Sequence, residues 1–337
     1  MQVPSEQLQA VINEWAAVPG HYGVSASVIH ADGTQWSGVA GRAGSGPVQL
    51  NHLIAVASIT KTMVGALILQ LADESKLTLD DPISRWLPER EHVDPDITIR
   101  QLLNHTNGLD NYTTKAAVGQ EAAANPSRVF TANELLAFIG PPRFAPGTAT
   151  EYTNTAFVLL GQIAERVGGK PAVTLLNERL WNPLGLSEMF LPGQESAPAP
   201  VAVALSSLGL GSPLDRMSTL SIGNTAFGVM ASGRHVARWG HELFTGTVVS
   251  GRMQQEMRTM VPAAGNIPGE SGAGLGIRGY SYLGRSQIGH SGGSSFGNSL
   301  LLHDPAGRVT VAVLMNQGQG ADHFTLAPAL LNLALRR

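Results

Sequence analysis

Segments typical of β-strands lie at both ends of this chain, and segments typical of helices lie between them. Residues 22–41 contain two β-rich runs on either side of an Asp-Gly pair, which favours a tight hairpin turn. Residues 274–317 resemble successive antiparallel strands, with turns at Gly284 and at 305–307. The simplest assembly pairs these strands across the helical segment. The sequence therefore predicts an α/β fold of the α+β type, with one antiparallel sheet built from both termini and flanked by helices.

This arrangement also predicts how the chain is divided. Residues 1–57 and 225–337 are expected to form the sheet domain. Residues 58–224 are expected to form a mostly helical inserted domain, with the active site in the cleft between the two. Apolar periodicity, helix-start residues and glycine stops predict the helices. They are an amphipathic N-terminal helix, a helix starting at or near Ser58, and helices within 97–113, 131–140, 155–169, 229–244 and 325–336. Residues 192–213 are expected to be a loop.

Composition and charge argue against several classes of partner. The chain of 337 residues has a formal net charge of -3 and no run of Lys or Arg. Neither nucleic acid nor an anionic membrane surface is therefore an expected partner. No stretch of about 18 apolar residues occurs, so no membrane span is expected. The N-terminal residues lack a basic segment followed by an apolar one, and we expect a cytoplasmic protein.

The sequence predicts neither a metal nor a cofactor. The absence of cysteine removes disulfides, thiolate metal sites and cysteine nucleophiles together. The histidines are scattered, without the close pairs typical of zinc sites, and His105 is interpreted as a loop-packing residue. Residues 274–279 match G-x-G-x-x-G, but they do not open a helix after a strand, so a dinucleotide site is not expected.

One candidate nucleophile is Ser291, in the sequence Gly-His-Ser-Gly-Gly. This sequence matches G-x-S-x-G, the turn that presents the serine of α/β-hydrolases. That fold needs an acid and a histidine after the serine, on alternating strands and helices, whereas strands separated by turns are predicted here. A chymotrypsin-like enzyme would need an all-β chain, and the middle of this one is helical. The predicted elements fit neither fold, which argues against Ser291 as the nucleophile.

A second candidate is the S-x-x-K sequence of Ser58 and Lys61. Residues three apart lie on one face of a helix, so the lysine amine can approach the serine hydroxyl. A serine becomes a good nucleophile when a base takes its proton. A lysine can be that base if burial and nearby positive charge lower its pKa from about 10.4. Alone, the pattern also fits a helix-capping serine followed by a surface lysine.

Two later sequence elements support a catalytic interpretation of the S-x-x-K pattern. Tyr152-Thr153-Asn154 lies in a loop between two predicted helices, and His290-Ser291-Gly292 lies on a late predicted strand. Together the three elements resemble the serine β-lactamase and penicillin-binding protein family, with its S-x-x-K, Y-x-N and H-x-G sequences. The tyrosine and histidine forms resemble the branch of class C β-lactamases, DD-carboxypeptidases and related esterases. The resemblance covers most of residues 22–316.

The resemblance implies a role for each matched residue. Ser58 would attack a carbonyl and become acylated, while Lys61 and Tyr152 would share the proton transfers. Asn154 would hydrogen-bond Lys61 and the substrate amide, and His290 would stand near Tyr152 at the polar end of the substrate. The remaining implied positions are the backbone N–H groups of the oxyanion hole and the cleft wall. These are Ser58 and Gly293 for the oxyanion hole, and Ser291 and Gly292 for the wall.

There are also departures from the family pattern. Ser291 replaces a commoner threonine, Arg234 stands where an aspartate is frequent, and no arginine closely follows residues 314–317 to bind a substrate carboxylate. These departures weigh against β-lactam or terminal-carboxylate recognition and leave the acyl-enzyme chemistry intact.

We therefore expect a serine hydrolase of an ester or amide. Small esters, D-amino-acid amides or peptides and β-lactams are the candidate substrates, and the sequence does not determine the oligomeric state. One alternative is an acyltransferase or peptide cyclase that uses the same nucleophile. A non-catalytic binding or scaffold protein on the same fold is an alternative of another class.

Overall fold

The computed structural model describes residues 5–206, 209–262, 267–318 and 320–336. The strands are β1 (Gly23–Ile29), β2 (Gln35–Ala43), β3 (Gly46–Pro47), β4 (Ile54–Ala55), β5 (Met189–Phe190), β6 (Ala204–Ser206), β7 (Gly209–Gly211), β8 (Met230–Ala231), β9 (Glu270–Ala273), β10 (Arg278–Tyr282), β11 (Arg285–Ser294), β12 (Gly297–Asp304) and β13 (Val309–Met315).

The α-helices alternate with short turns of 3₁₀ or π helix. They are α1 (Ser5–Ala16), α2 (Thr60–Asp73), α3 (Ile99–Leu103), α4 (Ala116–Ala124), α5 (Ala132–Leu136), α6 (Thr155–Gly168), α7 (Ala172–Leu176), α8 (Met217–Ser221), α9 (Asn224–Phe227), α10 (Gly233–Thr245), α11 (Gly251–Met257) and α12 (His323–Leu335). The 3₁₀ turns are Ala57–Ile59, Ile83–Arg85, Tyr112–Thr114 and Pro213–Arg216, and the π turn is Asn177–Trp181.

An eight-stranded antiparallel sheet joins the two ends of the chain. Its order is β3-β2-β1-β13-β12-β11-β10-β9. The N-terminal strand β1 pairs with β13, with Val24 opposite Met315 and Ile29 opposite Thr310. The predicted hairpin of residues 22–41 forms β1 and β2, and the late segment forms β10 to β13. The predicted sheet from both termini is therefore confirmed.

Helices cover both faces of the sheet. Side chains alternate between the faces of a strand, so β1 supplies Val24, Ala26 and Val28 to one face, and two serines and an isoleucine to the other. Helices α1 and α12 pack on the first face, where Leu8 and Leu330 belong to the same hydrophobic cluster as Val24 and Val28. Helix α10 covers the opposite face, where Leu301 belongs to the larger cluster. The central strands are consequently buried on both sides.

Helix α2 runs through the centre of the larger hydrophobic cluster. Almost every residue of α2 is buried, and the helix packs against α6, α9 and β11. The same cluster includes Ile68 of α2, Ile163 of α6 and Leu314 of β13, so apolar packing is continuous from the helical part to the sheet. The division at residues 58–224 stays a prediction.

Several boundaries differ from those predicted. The helix predicted over 229–244 begins only at Gly233, because Met230 and Ala231 form β8, the middle strand of a small sheet between β4 and β5. Residues 192–213, expected to be a loop, contain the hairpin of β6 and β7, and residues 207–208 lie outside the described part. Among the described residues, no helix combines the length and hydrophobicity that a membrane span requires. The location of the protein in the cell stays a prediction.

A buried histidine in the sheet makes stability depend on pH. His303 of β12 is 2% exposed, and its Nδ1 shares a hydrogen bond of 2.8 Å with Thr310 Oγ1. Burial, assisted by His241 and Arg258, lowers the pKa of His303 from 6.5 to about 3. Between these values the unfolded chain binds a proton that the folded protein does not. The stabilisation from neutral His303 is therefore complete above pH 6.5 and is lost as the pH falls towards 3.

We expect the free energy of unfolding to fall below pH 6.5, with His303 contributing about 1.4 kcal/mol per pH unit. Chemical denaturation between pH 4.5 and pH 8 measures this slope. His303→Gln should flatten this slope. Equal slopes for the wild-type protein and His303→Gln would contradict this account.

Candidate active site

Ser58 lies in a tight turn that leads directly into α2. The turn Ala57–Ile59 is 3₁₀, and Thr60 Oγ1 donates a hydrogen bond of 2.7 Å to Ala57 O. Ala57 has a φ of 47°, in the left-handed region that costs a residue with a side chain ~1–2 kcal/mol. The surrounding packing must maintain this conformation, since Ala57 is fully buried. Ser58 is thereby fixed at the start of the helix, with its side chain at the wall of a cavity.

The amine of Lys61 is held one helical turn further on, inside the protein. Lys61 is completely buried, and its Nζ lies 3.3 Å from Ser58 Oγ. The same nitrogen donates hydrogen bonds of 2.7 Å to Asn154 Oδ1 and 2.9 Å to Ala226 O. Burial lowers the pKa of Lys61 well below its usual value, and the nearby charge of Arg278 lowers it further. The site therefore favours a neutral amine.

Tyr152 approaches Ser58 from the loop before α6. Its hydroxyl donates a hydrogen bond of 2.6 Å to Ser58 Oγ. Its ring packs on His105, with the ring centroids 4.6 Å apart. Burial raises the pKa of Tyr152, while Arg278 and the bond to Ser58 offset part of that rise. The phenol is consequently the favoured form at neutral pH. His105 is buried in its loop, as expected for a packing residue, and supports the tyrosine ring.

Asn154 fixes the orientation of the lysine. It is buried immediately before α6, and its Nδ2 donates a hydrogen bond of 3.1 Å to Thr113 Oγ1. Its backbone N–H donates to Asn111 Oδ1 at 3.3 Å. Because the amide nitrogen faces Thr113, the carbonyl oxygen is the atom presented to Lys61. Ser58, Lys61, Tyr152 and Asn154 thus form one hydrogen-bonded group.

Strand β11 supplies the opposite side of the site. His290 is buried, its ring centroid lies 6.3 Å from that of Tyr152, and its Nδ1 donates a hydrogen bond of 2.6 Å to Ser291 O. Burial, followed by the charges of Arg278 and Lys61, lowers the pKa of His290 well below its usual value. A neutral imidazole is therefore favoured. His290, Ser291 and Gly293 line the cavity.

Gly292 does not lie among the residues that line the cavity. A Cβ at this position would lie 2.5 Å from Val56 O and 2.9 Å from Ala57 Cβ, so its α-carbon packs against the turn that carries Ser58. At Gly293, the nearest atom to a Cβ would be Asn298 Oδ1, at 3.3 Å. The two glycines therefore differ: Gly292 permits close approach of β11 to the turn, whereas a Cβ at Gly293 would meet only the Asn298 side chain.

A buried ion pair beside Tyr152 was not predicted from the sequence. Arg278 of β10 donates a hydrogen bond to Glu270 Oε1 of β9, and both side chains are at most 5% exposed. The guanidinium carbon lies 4.6 Å from the centroid of the Tyr152 ring. Arg278 on β10 pairs with Gly289 of the neighbouring strand β11. Its one sequence signal is that of a charged residue within a predicted strand.

These residues surround a cavity of about 620 Å³. Besides the residues described above, its walls are formed mainly by small and apolar side chains from α4, α8 and their neighbours. They are Ala55, Thr113, Val118, Gly119, Ala122, Ala123, Arg216, Thr219, Leu220, Ile222, Phe227, Gly228, Ile267, Ser294, Ser295 and Phe296. Arg234 is not among the lining residues and forms an ion pair with Glu188. Within the described parts of the chain, no three His, Asp or Glu side chains are grouped as metal ligands.

Comparison with known proteins identifies the family. A family model described as Beta-lactamase matches residues 9–335. The chain belongs to the beta-lactamase family. Esterase EstB of Burkholderia gladioli is 32% identical to this family member over 163 residues, which are 45% of this chain and 41% of EstB. The D-alanyl-D-alanine-carboxypeptidase/endopeptidase AmpH of Escherichia coli K12 is 28% identical over 146 residues, which are 42% of this chain and 37% of AmpH. These two matches therefore span less than half of each relative.

Structural similarity extends over nearly the whole chain. The crystal structure of a D-stereospecific amidohydrolase from Streptomyces matches with a TM-score of 0.85 and 29% identity, covering 97% of this chain and 98% of that one. The fold expected from the beta-lactamase resemblance is therefore confirmed. By name, the three similar proteins are an esterase, a carboxypeptidase and an amidohydrolase, and all three are hydrolases.

The two glycines of β11 provide a matched test of this geometry. Gly292→Ala should slow the hydrolysis of p-nitrophenyl acetate at least about tenfold. It should also destabilise the protein by about 1–3 kcal/mol, because Val56 O cannot yield to the new methyl group. Gly293→Ala should stay within a few-fold of the wild-type rate, because its methyl group meets only the Asn298 side chain and its backbone N–H remains. Rates of p-nitrophenyl acetate hydrolysis and thermal unfolding measure the two effects, and similar losses in the two variants would contradict this assignment.

Proposed function

We propose that this protein is a serine hydrolase that cleaves an ester or amide through an acyl-enzyme on Ser58. The observation that supports this most strongly is the chain of contacts from Tyr152 OH to Ser58 Oγ to Lys61 Nζ, at 2.6 and 3.3 Å. A neutral amine has two N–H bonds and one lone pair. Lys61 has two carbonyl acceptors, on Asn154 and Ala226, which leaves the lone pair for the serine hydroxyl.

Acylation begins with the serine proton. Lys61 takes the proton from Ser58 Oγ as the oxygen forms a bond to the substrate carbonyl carbon, and the carbonyl oxygen becomes an oxyanion. The backbone N–H groups of Ser58 and Gly293, both beside the cavity, donate to that oxyanion. Each such donor is worth roughly 3 kcal/mol in the transition state.

The leaving group then needs a proton. Tyr152 OH gives its proton to the leaving oxygen or nitrogen as the bond from the carbonyl carbon breaks, and the proton that Lys61 took from Ser58 then restores the phenol. Arg278, beside the ring, stabilises the transient phenolate. Water repeats the sequence in deacylation: it loses a proton to the same groups, attacks the ester carbon, and releases the acid as Ser58 Oγ regains its proton.

A covalent adduct tests the nucleophile. Incubation with p-nitrophenyl acetate, a fluorescent penicillin and a D-alanyl peptide, followed by intact mass analysis, should show an acylated protein with at least one probe. The adduct should be absent in Ser58→Ala and present in Ser291→Ala, the matched control on β11. Retention of the adduct in Ser58→Ala would overturn the mechanism.

A pair of variants separates the base from the acid. Lys61→Ala and Tyr152→Phe should each slow the acylation of Ser58 by an ethyl ester by about a hundredfold or more. The loss in Tyr152→Phe should be smaller with the p-nitrophenyl ester of the same acid, because p-nitrophenolate leaves without a proton. If instead Lys61→Ala spares both esters, Lys61 is not the base.

The pH profile of kcat/KM tests the roles of Lys61 and Tyr152 independently. The activity should fall on the acid side as Lys61 becomes protonated, at a midpoint well below the usual lysine pKa. Tyr152→Phe should retain this acid limb at a lower rate. Loss of the acid limb in Tyr152→Phe would identify the tyrosine as the base.

A further inference from the structure

The cavity has two walls of different composition. Arg278 and His290, which surround Tyr152, belong to strands β10 and β11. Because Tyr152 protonates the leaving group in the proposed function, the leaving group lies on this strand side. The acyl part of the substrate then extends towards the wall formed by α4 and α8.

The helical wall is apolar and firmly placed. Val118 and Ala122 of α4 and Leu220 of α8 line the cavity and are nearly inaccessible to solvent. Ser218 Oγ donates a hydrogen bond of 2.8 Å to Ala122 O, which joins the two helices. Tyr112 OH donates one of 2.6 Å to Ile222 O just after α8. A wall of this kind suits an aliphatic or aromatic acyl group.

One charged residue interrupts the helical wall. Arg216 lies immediately before α8, is half-exposed and lines the same cavity. Within the described parts of the chain, no hydrogen bond or ion pair involves its guanidinium, whereas the guanidinium of Arg278 is paired with Glu270. The described residues that line the cavity include no aspartate or glutamate. Arg216 is therefore a cation without a counterion at the end of an apolar wall.

We propose that the acyl group of the substrate is an apolar chain that ends in a carboxylate, and that this carboxylate pairs with Arg216. This inference rests on the proposed acylation of Ser58 and names the substrate class of that site. A carboxylate can accept two parallel hydrogen bonds from a guanidinium, which fixes its position as well as its charge. An acyl group that carries an ammonium meets Arg216 and no described carboxylate in the cavity, so it is disfavoured.

Matched p-nitrophenyl esters test this assignment. The monoesters of adipic, suberic and sebacic acid are compared with the hexanoate, octanoate and decanoate esters, and the 8-aminooctanoate ester supplies the opposite charge. At one chain length, kcat/KM for the carboxylate-ended ester should exceed that of its methyl-ended partner at least fivefold. The ammonium-ended ester should be the slowest of its length.

Variants connect the preference to the arginine. Arg216→Gln should reduce the ratio between the two esters to about one, and Arg216→Lys should retain part of it. Arg252→Gln, on an exposed arginine that pairs with Asp73 away from the cavity, should leave the ratio unchanged. In the wild-type protein, 0.5 M NaCl should lower the ratio, and free suberate should inhibit more strongly than free octanoate.

Two results would overturn the inference: carboxylate-ended esters that react no faster at any length, or a preference that persists in Arg216→Gln. Failure of every ester to acylate Ser58 would instead refute the proposed function.

Discussion

The active site depends on the complete burial of one lysine amine. A charged ammonium at this depth would be costly, so the protein favours the neutral amine and supplies two carbonyl acceptors for its hydrogens. The elements that carry these acceptors lie far apart in sequence: Asn154 precedes α6, and Ala226 belongs to α9. Packing of α2 against α6 and α9 brings them together. The geometry of the candidate site and the packing of the core therefore depend on the same contacts.

The charge of Arg278 affects the two groups beside Ser58, Lys61 and Tyr152, in different ways. Arg278 lies near both Lys61 and Tyr152, and its charge lowers the pKa of each. For an amine this effect adds to that of burial, whereas for a phenol it opposes burial. The result is an amine that readily loses its proton and a phenol that can transiently lose its own. Glu270 keeps this arginine in place and compensates its charge within the fold.

The sequence predicted the parts of the site that depend on local spacing and motif. The i, i+3 relation of Ser58 and Lys61 follows from helix geometry, and β-rich segments at both ends of the chain implied the sheet. The Arg278–Glu270 ion pair could not be predicted from local spacing, because the pairing of β10 with β9 brings the two side chains together. The hydrogen bond from Lys61 to Ala226 O could not be predicted for another reason, because a backbone acceptor has no sequence signature. Gly292 was expected in the cleft wall, but its α-carbon packs against the serine turn.

The position of Arg216 is consistent with the needs of a neutral lysine base. A substrate carboxylate close to Lys61 would stabilise the ammonium form and so raise the pKa of the lysine, which would weaken it as a base. Pairing with Arg216, which lies just before α8 and lines the cavity, would neutralise such an anion and so oppose this effect. With Arg278 already compensated by Glu270, the described lining residues leave Arg216 as the one cation available to a substrate. An anionic acyl terminus is therefore compatible with the proposed chemistry where it pairs with Arg216.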